Sequence, residues 1–401
     1  MPASPTSKTL LSQFTPCAVV DRSKLAHNIA RLNTALAPFD VDLRPHVKTT
    51  KSPDISRQLI DGHSGAITVS TLAEAEYFFS QGFSDILYAV GIAPGKLPRV
   101  AALLERGADL KVILDSAVMA DQLADWGDRH RCAVPVLLEV NSDDHRAGID
   151  PGDAELIDAA TRLAQSNGAD FRGVMTHAGG SYHCTSPEQI AAMAKQERDA
   201  IVQCVDELSA AGIPCPIVSV GSTPTALFAT NLDGVTEVRA GVYPFFDLVM
   251  AGLGCCSVDN VALSVLTTVI GHKPRLNTVI TDGGGLALSK DRGTSNQAID
   301  CQYGLVCEAA SGQLIDNVVV ASVNQEHGLI STRDESPIDF AAFPIGSQLR
   351  ILPNHSCMTA AAYSEYIVVD GKNPDVTDIW PRCGGWQRIG QDRGFSARKS
   401  P

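Results

Sequence analysis

The chain has 401 residues, 44% of them hydrophobic and 19% charged, with a formal net charge of −13. At about 100–200 residues per domain, with α/β barrels reaching about 250 as one unit, this length predicts a barrel plus a second domain with large buried cores. The acidity excludes nucleic acid and anionic membranes as partners, since both repel a negative protein, although local positive charge can still hold a small anion. No apolar run is long enough to span a membrane, and the start, Met-Pro-Ala-Ser-Pro-Thr-Ser-Lys, lacks the charged and apolar segments of a secretory leader. The 11 cysteines are odd in number and show no CxxC spacing. Reduced thiols in a cytoplasmic protein are therefore expected, most of them small core residues, Cys255-Cys256 included.

In chain order, Ala18–Asp21 reads as a strand that can pair with a later β region, and Lys24–Leu36 reads as a helix. Eight further strands follow: Leu43–Lys48, Ala66–Ser70, Ile86–Val90, Lys111–Asp115, Val136–Asn141, Gly173–His177, Ile217–Gly221 and Glu237–Gly241. Between them lie helical patterns at Ser70–Gln81, Lys96–Arg106, Ala117–Arg129, Asp153–Ser166 and Pro187–Ala211. Strands alternating with helices mean βαβ units and a parallel sheet, and eight such units are the count of a (β/α)8 TIM-type barrel. An open doubly wound sheet is the alternative. After residue 260 the long helical patterns stop. Ala262–Gly271, Thr278–Thr281, Val318–Asn324, Gln348–Leu352 and Tyr366–Val369 read as strands punctuated by Gly and Pro. The expected division is α/β: a barrel over 22–260, a C-terminal mainly-β domain over 261–390 joined by 1–21, and a tail over 391–401. The end from Gly390 is expected to be partly disordered.

A barrel carries its chemistry at the C-terminal ends of its strands, and polar and glycine-rich residues gather there. The first barrel strand runs into Arg44-Pro45-His46-Val47-Lys48-Thr49-Thr50-Lys51. The fifth leads to Arg146. The sixth ends at His177 and continues to Tyr182. The seventh ends in Gly221-Ser222-Thr223, and the eighth carries Arg239-Ala240-Gly241-Val242-Tyr243. A lysine opening from an apolar strand is partly desolvated, which lowers its pKa and frees its amine for Schiff-base chemistry. Lys48 stands at that position, although a lysine just past a strand end can simply stay solvated. Lys51 is the competitor, expected outside the barrel mouth. Gly221-Ser222-Thr223 can present backbone N–H groups and hydroxyls to a phosphate, or can be a plain βα turn. Gly283-Gly284-Gly285 falls in the β region and reads as a turn.

Near the end, His355-Ser356-Cys357 follows Pro353-Asn354. Imidazole and thiolate two residues apart can reach one soft cation, and two protein ligands leave the open positions of a catalytic metal. A core cysteine beside a surface histidine is the plainer reading.

Together these segments resemble the D-serine dehydratase and D-threonine aldolase family, metal-dependent pyridoxal-phosphate enzymes with an alanine-racemase-like fold (pyridoxal-phosphate fold type III). The likeness runs over most of the chain. It is anchored on Arg44 to Lys51 and Pro353 to Cys357, with Arg146-Ala147-Gly148, His177 to Tyr182, Gly221 to Thr223, Arg239 to Tyr243, Asp282 to Asp291 and Gln325 to Gly328 between. One departure is Thr50, where relatives often carry histidine. The resemblance implies that Lys48 is the catalytic residue and carries pyridoxal 5′-phosphate as a Schiff base. It implies that Gly221, Ser222 and Thr223 hold the cofactor phosphate, with Tyr182 near it. His177, Arg239, Gly241 and Tyr243 would lie around the cofactor, and Arg146 at its O3′ or at the substrate carboxylate. His355 and Cys357 would bind the metal. A homodimer acting on a small-molecule D-3-hydroxy amino acid is also implied.

In that family the cofactor drains charge from Cα, the freed lysine takes the α-proton, and the metal assists departure of the β-hydroxyl. Water is eliminated, and the product hydrolyses to a 2-keto acid and ammonia. The alternative is retro-aldol cleavage to glycine and an aldehyde. Family dehydratases carry HxC at the metal and aldolases tend towards HxD, so Cys357 favours dehydration, and thiolate favours zinc over manganese or magnesium. A non-catalytic carrier of the cofactor is generally single-domain. A racemase needs an opposing base that the sequence does not identify.

Overall fold

The computed structural model describes residues 9–144, 146–384 and 386. The tail expected to be disordered from Gly390 lies outside the described residues. Strand β1 (Cys17–Asp21) ends at Asp21, whose carboxylate caps α1 (Arg22–Leu36) by accepting from the Lys24 amide. There follow β2 (Asp42–Leu43), α2 (Pro53–Leu59), β3 (Ile67–Val69), α3 (Leu72–Ser80), β4 (Asp85–Tyr88), α4 (Leu97–Glu105), β5 (Asp109–Leu114), α5 (Ala117–His130), β6 (Val134–Val140), α6 (Ala154–Gln165), β7 (Ala169–Thr176), α7 (Pro187–Ala210), β8 (Ile217–Val220), α8 (Thr223–Phe228) and β9 (Glu237–Val238).

Strands β2 to β9 form one parallel sheet in the order β2-β9-β8-β7-β6-β5-β4-β3. It closes into a barrel because the continuation of β2 bonds to β3: the Val47 amide donates to Thr68 O, and the Thr68 amide to Pro45 O, each at 2.9 Å. The barrel therefore replaces the open sheet as the reading. β2 is short as a regular strand because Pro45 has no N–H to give. The ladder continues through alternate residues, with the Arg44 amide on Val238 O and the His46 amide on Ala240 O.

Alternation along each strand sends one set of side chains outward under the helices and the other into the barrel. Inside, Leu87, Ile113, Leu137 and Met175 make an apolar layer. Below it the interior is ionic. Arg44 pairs with Glu237 at 2.8 Å and Asp85 at 2.6 Å, and Lys111 reaches Asp85 at 2.9 Å. Charges so deeply placed are tolerable only because each has an opposite partner.

The rest of the chain comprises α9 (Leu248–Gly252), β10 (Leu263–Lys273), β11 (Thr278–Thr281), α10 (Gly285–Leu288), β12 (Leu305–Glu308), β13 (Leu314–Val323), β14 (Gly328–Thr332), β15 (Gln348–Leu352), α11 (Ser356–Ala360), β16 (Glu365–Asp370) and β17 (Asn373–Pro381). Its sheet runs β11-β14-β13-β12-β15-β10-β1-β16-β17, and β10 pairs β11 as well. β1 lies inside this sheet, antiparallel to β10 and parallel to β16. Gly283 and Gly284 form the turn between β11 and α10. A Cβ on Gly284 would come within 2.3 Å of the His327 amide, so the turn packs directly on the 325–328 segment. All 11 cysteines are free. Among the described residues no helix is long and apolar enough to cross a membrane.

Candidate active site

A cavity of about 590 Å³ opens at the C-terminal rim of the barrel, where the loop after α10 and the start of α11 meet it. It brings Lys48, His177, Tyr182, Ser222, Arg239 and Gly241 from the barrel together with His355 and Cys357, which stand more than 100 residues beyond the last barrel strand.

Lys48 sits in the cavity wall. Burial lowers its pKa, and Arg146 and Arg239 lower it further, against the opposing pull of the Cys357 sulfur. The amine is therefore more readily neutral than a surface lysine. Lys51 is not outside the barrel mouth. Its ammonium is buried against Glu74 at 2.9 Å and stacks on Trp386, away from the cavity. Glu74 comes from α3, so this ion pair is invisible in the local sequence. Thr50 is also buried behind the wall, its carbonyl accepting from the Tyr366 hydroxyl at 2.7 Å.

Two histidines flank the lysine. Burial first, then Lys48, Arg239 and His177, hold His46 well below the usual imidazole range. Burial likewise pushes His177 down to about 3, although its ring bonds Gly221 O at 2.9 Å. A carbonyl only accepts, so Nδ1 carries the proton and the neutral ring leaves Nε2 as an acceptor. His46 stood in the RPHVK segment, but no role was read for it.

The loop after β8 departs from the sequence reading. Gly221 has φ +132°, and a Cβ there would lie 2.2 Å from Arg239 O, so only glycine fits. Its amide points inward and donates to Glu197 at 3.0 Å, while the Ser222 amide donates to Thr225 Oγ1. These two amides are thus committed to the protein, not to an anion. Ser222 Oγ stays in the wall beside Ser181 Oγ at 2.9 Å. Thr223 lies behind the wall, its hydroxyl accepting from the Gly241 and Val242 amides at 3.3 and 3.2 Å. Tyr182 is hydrogen-bonded with the Thr223 backbone, and burial raises its hydroxyl pKa. Gly241 lets its strand approach His46 O within what would be 3.2 Å of a Cβ. Tyr243 does not line the cavity: its side chain is fully buried in the barrel core. Arg239 is buried too, one Nη on Ser219 Oγ at 2.5 Å and the other on Thr176 O.

Opposite Lys48, the His355 ring bonds Asp291 through Nδ1 at 2.7 Å and also bonds the Cys357 thiol. Burial lowers the His355 pKa, but Cys357, Asp247 and Asp291 together bring it up to about 9. Burial opposes ionisation of Cys357, yet His355, Lys48 and Thr49 outweigh it and favour the thiolate. Asp247 accepts from the Met250 and Ser356 amides, both at 3.0 Å, and so fixes α9 against the turn that carries the pair. Among the described residues no cluster of three or more His, Cys, Asp or Glu is spaced to hold a cation. Any metal here would take two protein ligands, His355 and Cys357. Asp247 and Arg292 carry no signal in the sequence, and Asp291 stands there only as the end of the 282–291 family segment, because nothing in their local sequence shows that the second half folds over the barrel mouth.

Comparison with known proteins defines the class. The alanine racemase N-terminal domain family matches residues 20–248, and the serine dehydratase domain family matches 262–369. The chain belongs to the D-serine dehydratase and D-threonine aldolase family of pyridoxal-phosphate lyases, with an alanine-racemase-like fold. It is 48% identical over 383 residues to the D-threo-3-hydroxyaspartate dehydratase of Delftia sp. (strain HT23), covering 94% of this chain and 99% of that one. It is 32% identical over 386 residues to the D-serine dehydratase of Dictyostelium discoideum (92% and 96% covered) and 28% over 371 to the D-threonine aldolase of Arthrobacter sp (91% of each). The solved structure of the Delftia enzyme superposes with TM-score 0.92 at 46% identity, covering 94% of this chain and 100% of that chain. A cysteine-to-alanine mutant of that enzyme, solved in its metal-free form, superposes with TM-score 0.91 at 46% identity and the same coverage.

Proposed function

We propose that this chain is a pyridoxal-phosphate- and divalent-metal-dependent dehydratase that eliminates water from a D-3-hydroxy amino acid, giving a 2-keto acid and ammonia. The observation that carries this reading is the meeting of Lys48 with a His355/Cys357 pair in one cavity, with Thr49 Oγ1, next to the lysine, 3.0 Å from the Cys357 sulfur.

The residues suit both groups. A desolvated lysine at the rim is a suitable anchor for an aldehyde cofactor. The Ser222 and Tyr182 hydroxyls, both in the cavity lining, are the side-chain donors offered to its phosphate. With Nδ1 on Asp291, His355 offers Nε2 beside the Cys357 sulfur, a soft donor pair that favours zinc. When bound, the cofactor supplies an electron sink for charge at Cα and the cation supplies Lewis-acid help to the departing hydroxyl.

The chain's own groups do the rest. Lys48 Nζ, whose hold on its proton burial weakens, takes the α-proton of the substrate. Arg146, half-exposed and paired with Glu139 at 3.1 Å, binds the substrate α-carboxylate. Neutral His46 and His177 flank the reacting centre without adding positive charge, and Arg239 is held rigidly by Ser219 and Thr176 beneath it. We take residues 22–260 as the cofactor-binding unit, and 261–390 with 1–21 as the unit that delivers His355 and Cys357. A homodimer completes the proposal, and sedimentation of the purified protein tests it.

Retro-aldol cleavage is the second reading, supported by the aldolase among the relatives. Incubation with D-serine and D-threonine separates the two: keto acid and ammonia support the dehydratase, glycine and aldehyde the aldolase.

A further inference from the structure

Four lysine and arginine side chains, Lys48, Arg146, Arg239 and Arg292, line the cavity with the one carboxylate of Asp247. Three have duties under the dehydratase reading. Lys48 serves the cofactor, Arg146 the α-carboxylate, and Arg239 has both Nη groups bonded inside the barrel. Arg292 is left over. It stacks on Tyr303 at 5.4 Å and gives one Nη to Asp300, so Nε and the other Nη keep donors free for a ligand.

Its position is fixed relative to the candidate metal pair. Asp291, the preceding residue, bonds the His355 ring at 2.7 Å. Thr294 Oγ1 donates to Asn354 Oδ1 at 2.8 Å, and Asn354 Nδ2 to Gln302 O at 2.5 Å, which pins the loop to the turn carrying His355. Arg292, Ser295 and Asn296 line the same cavity as His355 and Cys357, so they are the wall next to the metal pair that a further Cβ substituent of the substrate can meet.

We infer that Arg292 reads a second carboxylate on Cβ, so that the cavity selects a D-3-hydroxy amino acid with two carboxylates, of hydroxyaspartate size. The inference rests on the dehydratase reading. A planar guanidinium with two free donors is matched to a carboxylate, whereas the hydrogen or methyl at that position in serine or threonine would leave those donors unpaired.

The test compares kcat/KM for D-threo-3-hydroxyaspartate and D-serine, measured by keto-acid release from the metal-loaded holoenzyme, for the wild type, Arg292→Gln and Arg292→Lys. Circular dichroism confirms the fold of each variant. The wild type is expected to prefer the dicarboxylate. Arg292→Gln should lower the ratio of the two constants by about 10- to 100-fold, mainly through KM for the dicarboxylate, and Arg292→Lys should lower it less, because lysine keeps the charge but not the fork. A purely structural role through Asp300 and Tyr303 would depress both substrates alike. That outcome, or a wild-type preference for D-serine, overturns the inference and leaves the dehydratase reading standing. Keto acid from neither substrate overturns both.

Discussion

Thr49 Oγ1 lies 3.0 Å from Cys357 Sγ, joining two residues 308 positions apart. Thr49 directly follows Lys48, so the lysine's own strand end touches the candidate metal ligand. The cavity is therefore assembled by two distant parts of the chain, and neither is complete alone.

Lys48→Ala should abolish turnover and the absorbance of a lysine-linked cofactor, with the fold retained. Borohydride treatment of the wild type should leave the cofactor attached to Lys48, read by peptide mass spectrometry. Lys51→Ala should behave differently. It strands Glu74 in the core, and breaking a buried pair costs about 3–5 kcal/mol, so its effect is on melting temperature before cofactor linkage. Attachment of the cofactor at Lys51 would sink this assignment.

Removing the metal should separate the two halves of the site. Chelation, or Cys357→Ala, is expected to cut turnover sharply while the cofactor absorbance persists. Asp291→Asn should weaken zinc affinity by about 10- to 100-fold, because the carboxylate that orients His355 is lost. Competition with a chromogenic chelator reads this without any assay of turnover. Unchanged affinity would mean that Asp291 does not position the ligand.

Glu197 bonds the Ala178 amide at 2.8 Å and the Gly221 amide at 3.0 Å, and so ties together the loops after β7 and β8. Glu197→Leu leaves both amides buried without an acceptor, a cost of about 1–3 kcal/mol for each. Weaker retention of pyridoxal phosphate is expected, measured by dialysis. Glu197→Gln keeps an acceptor and should largely restore it. Equal retention in all three proteins would deny the loops a role in holding the cofactor.

The Asp85 network predicts part of the acid response. Burial raises the Asp85 pKa, but Arg44 and then Lys111 more than offset this and hold it below its usual value. A carboxyl depressed in the folded state contributes stability that is present above the unfolded value and is lost as pH falls through the folded one. Asp85→Asn should therefore lower the melting temperature most near neutrality. The gap to wild type should close as pH falls below about 4, the ordinary carboxyl range. A gap that stays constant with pH would show that Asp85 acts through packing.

The barrel was legible because eight apolar runs separated by helical periodicity allow few topologies. The rim was legible because Lys48, His177 and Gly221 each follow an apolar strand run. What stayed hidden depends on long-range packing. The burial of Lys51 requires Glu74, and the inward turn of the Gly221 amide requires Glu197 on a different helix. Tyr243 follows a rim sequence, yet its side chain turns into the barrel core. Of the later strands, β12, β14 and β17 are absent from the sequence reading: β12 and β14 are only four and five residues long, and β17 is largely exposed and polar, with no clean alternation to mark it. The loop carrying Asp291 and Arg292 has no periodicity at all, and only its fastening to Asn354 makes it part of the site.

In strand β1, Val19 pairs with Ser264 on one side and Ile367 on the other. A strand made among the first residues thus waits for both neighbours until nearly the whole chain has left the ribosome. The barrel can close earlier, since its strands pair with near neighbours in sequence. Until β10 and β16 arrive, β1 offers two open edges and two apolar faces, Ala18 and Val20 on one and Val19 on the other, to other chains. Nascent chains stalled before residue 365 should accordingly depend on chaperones more than the finished protein does.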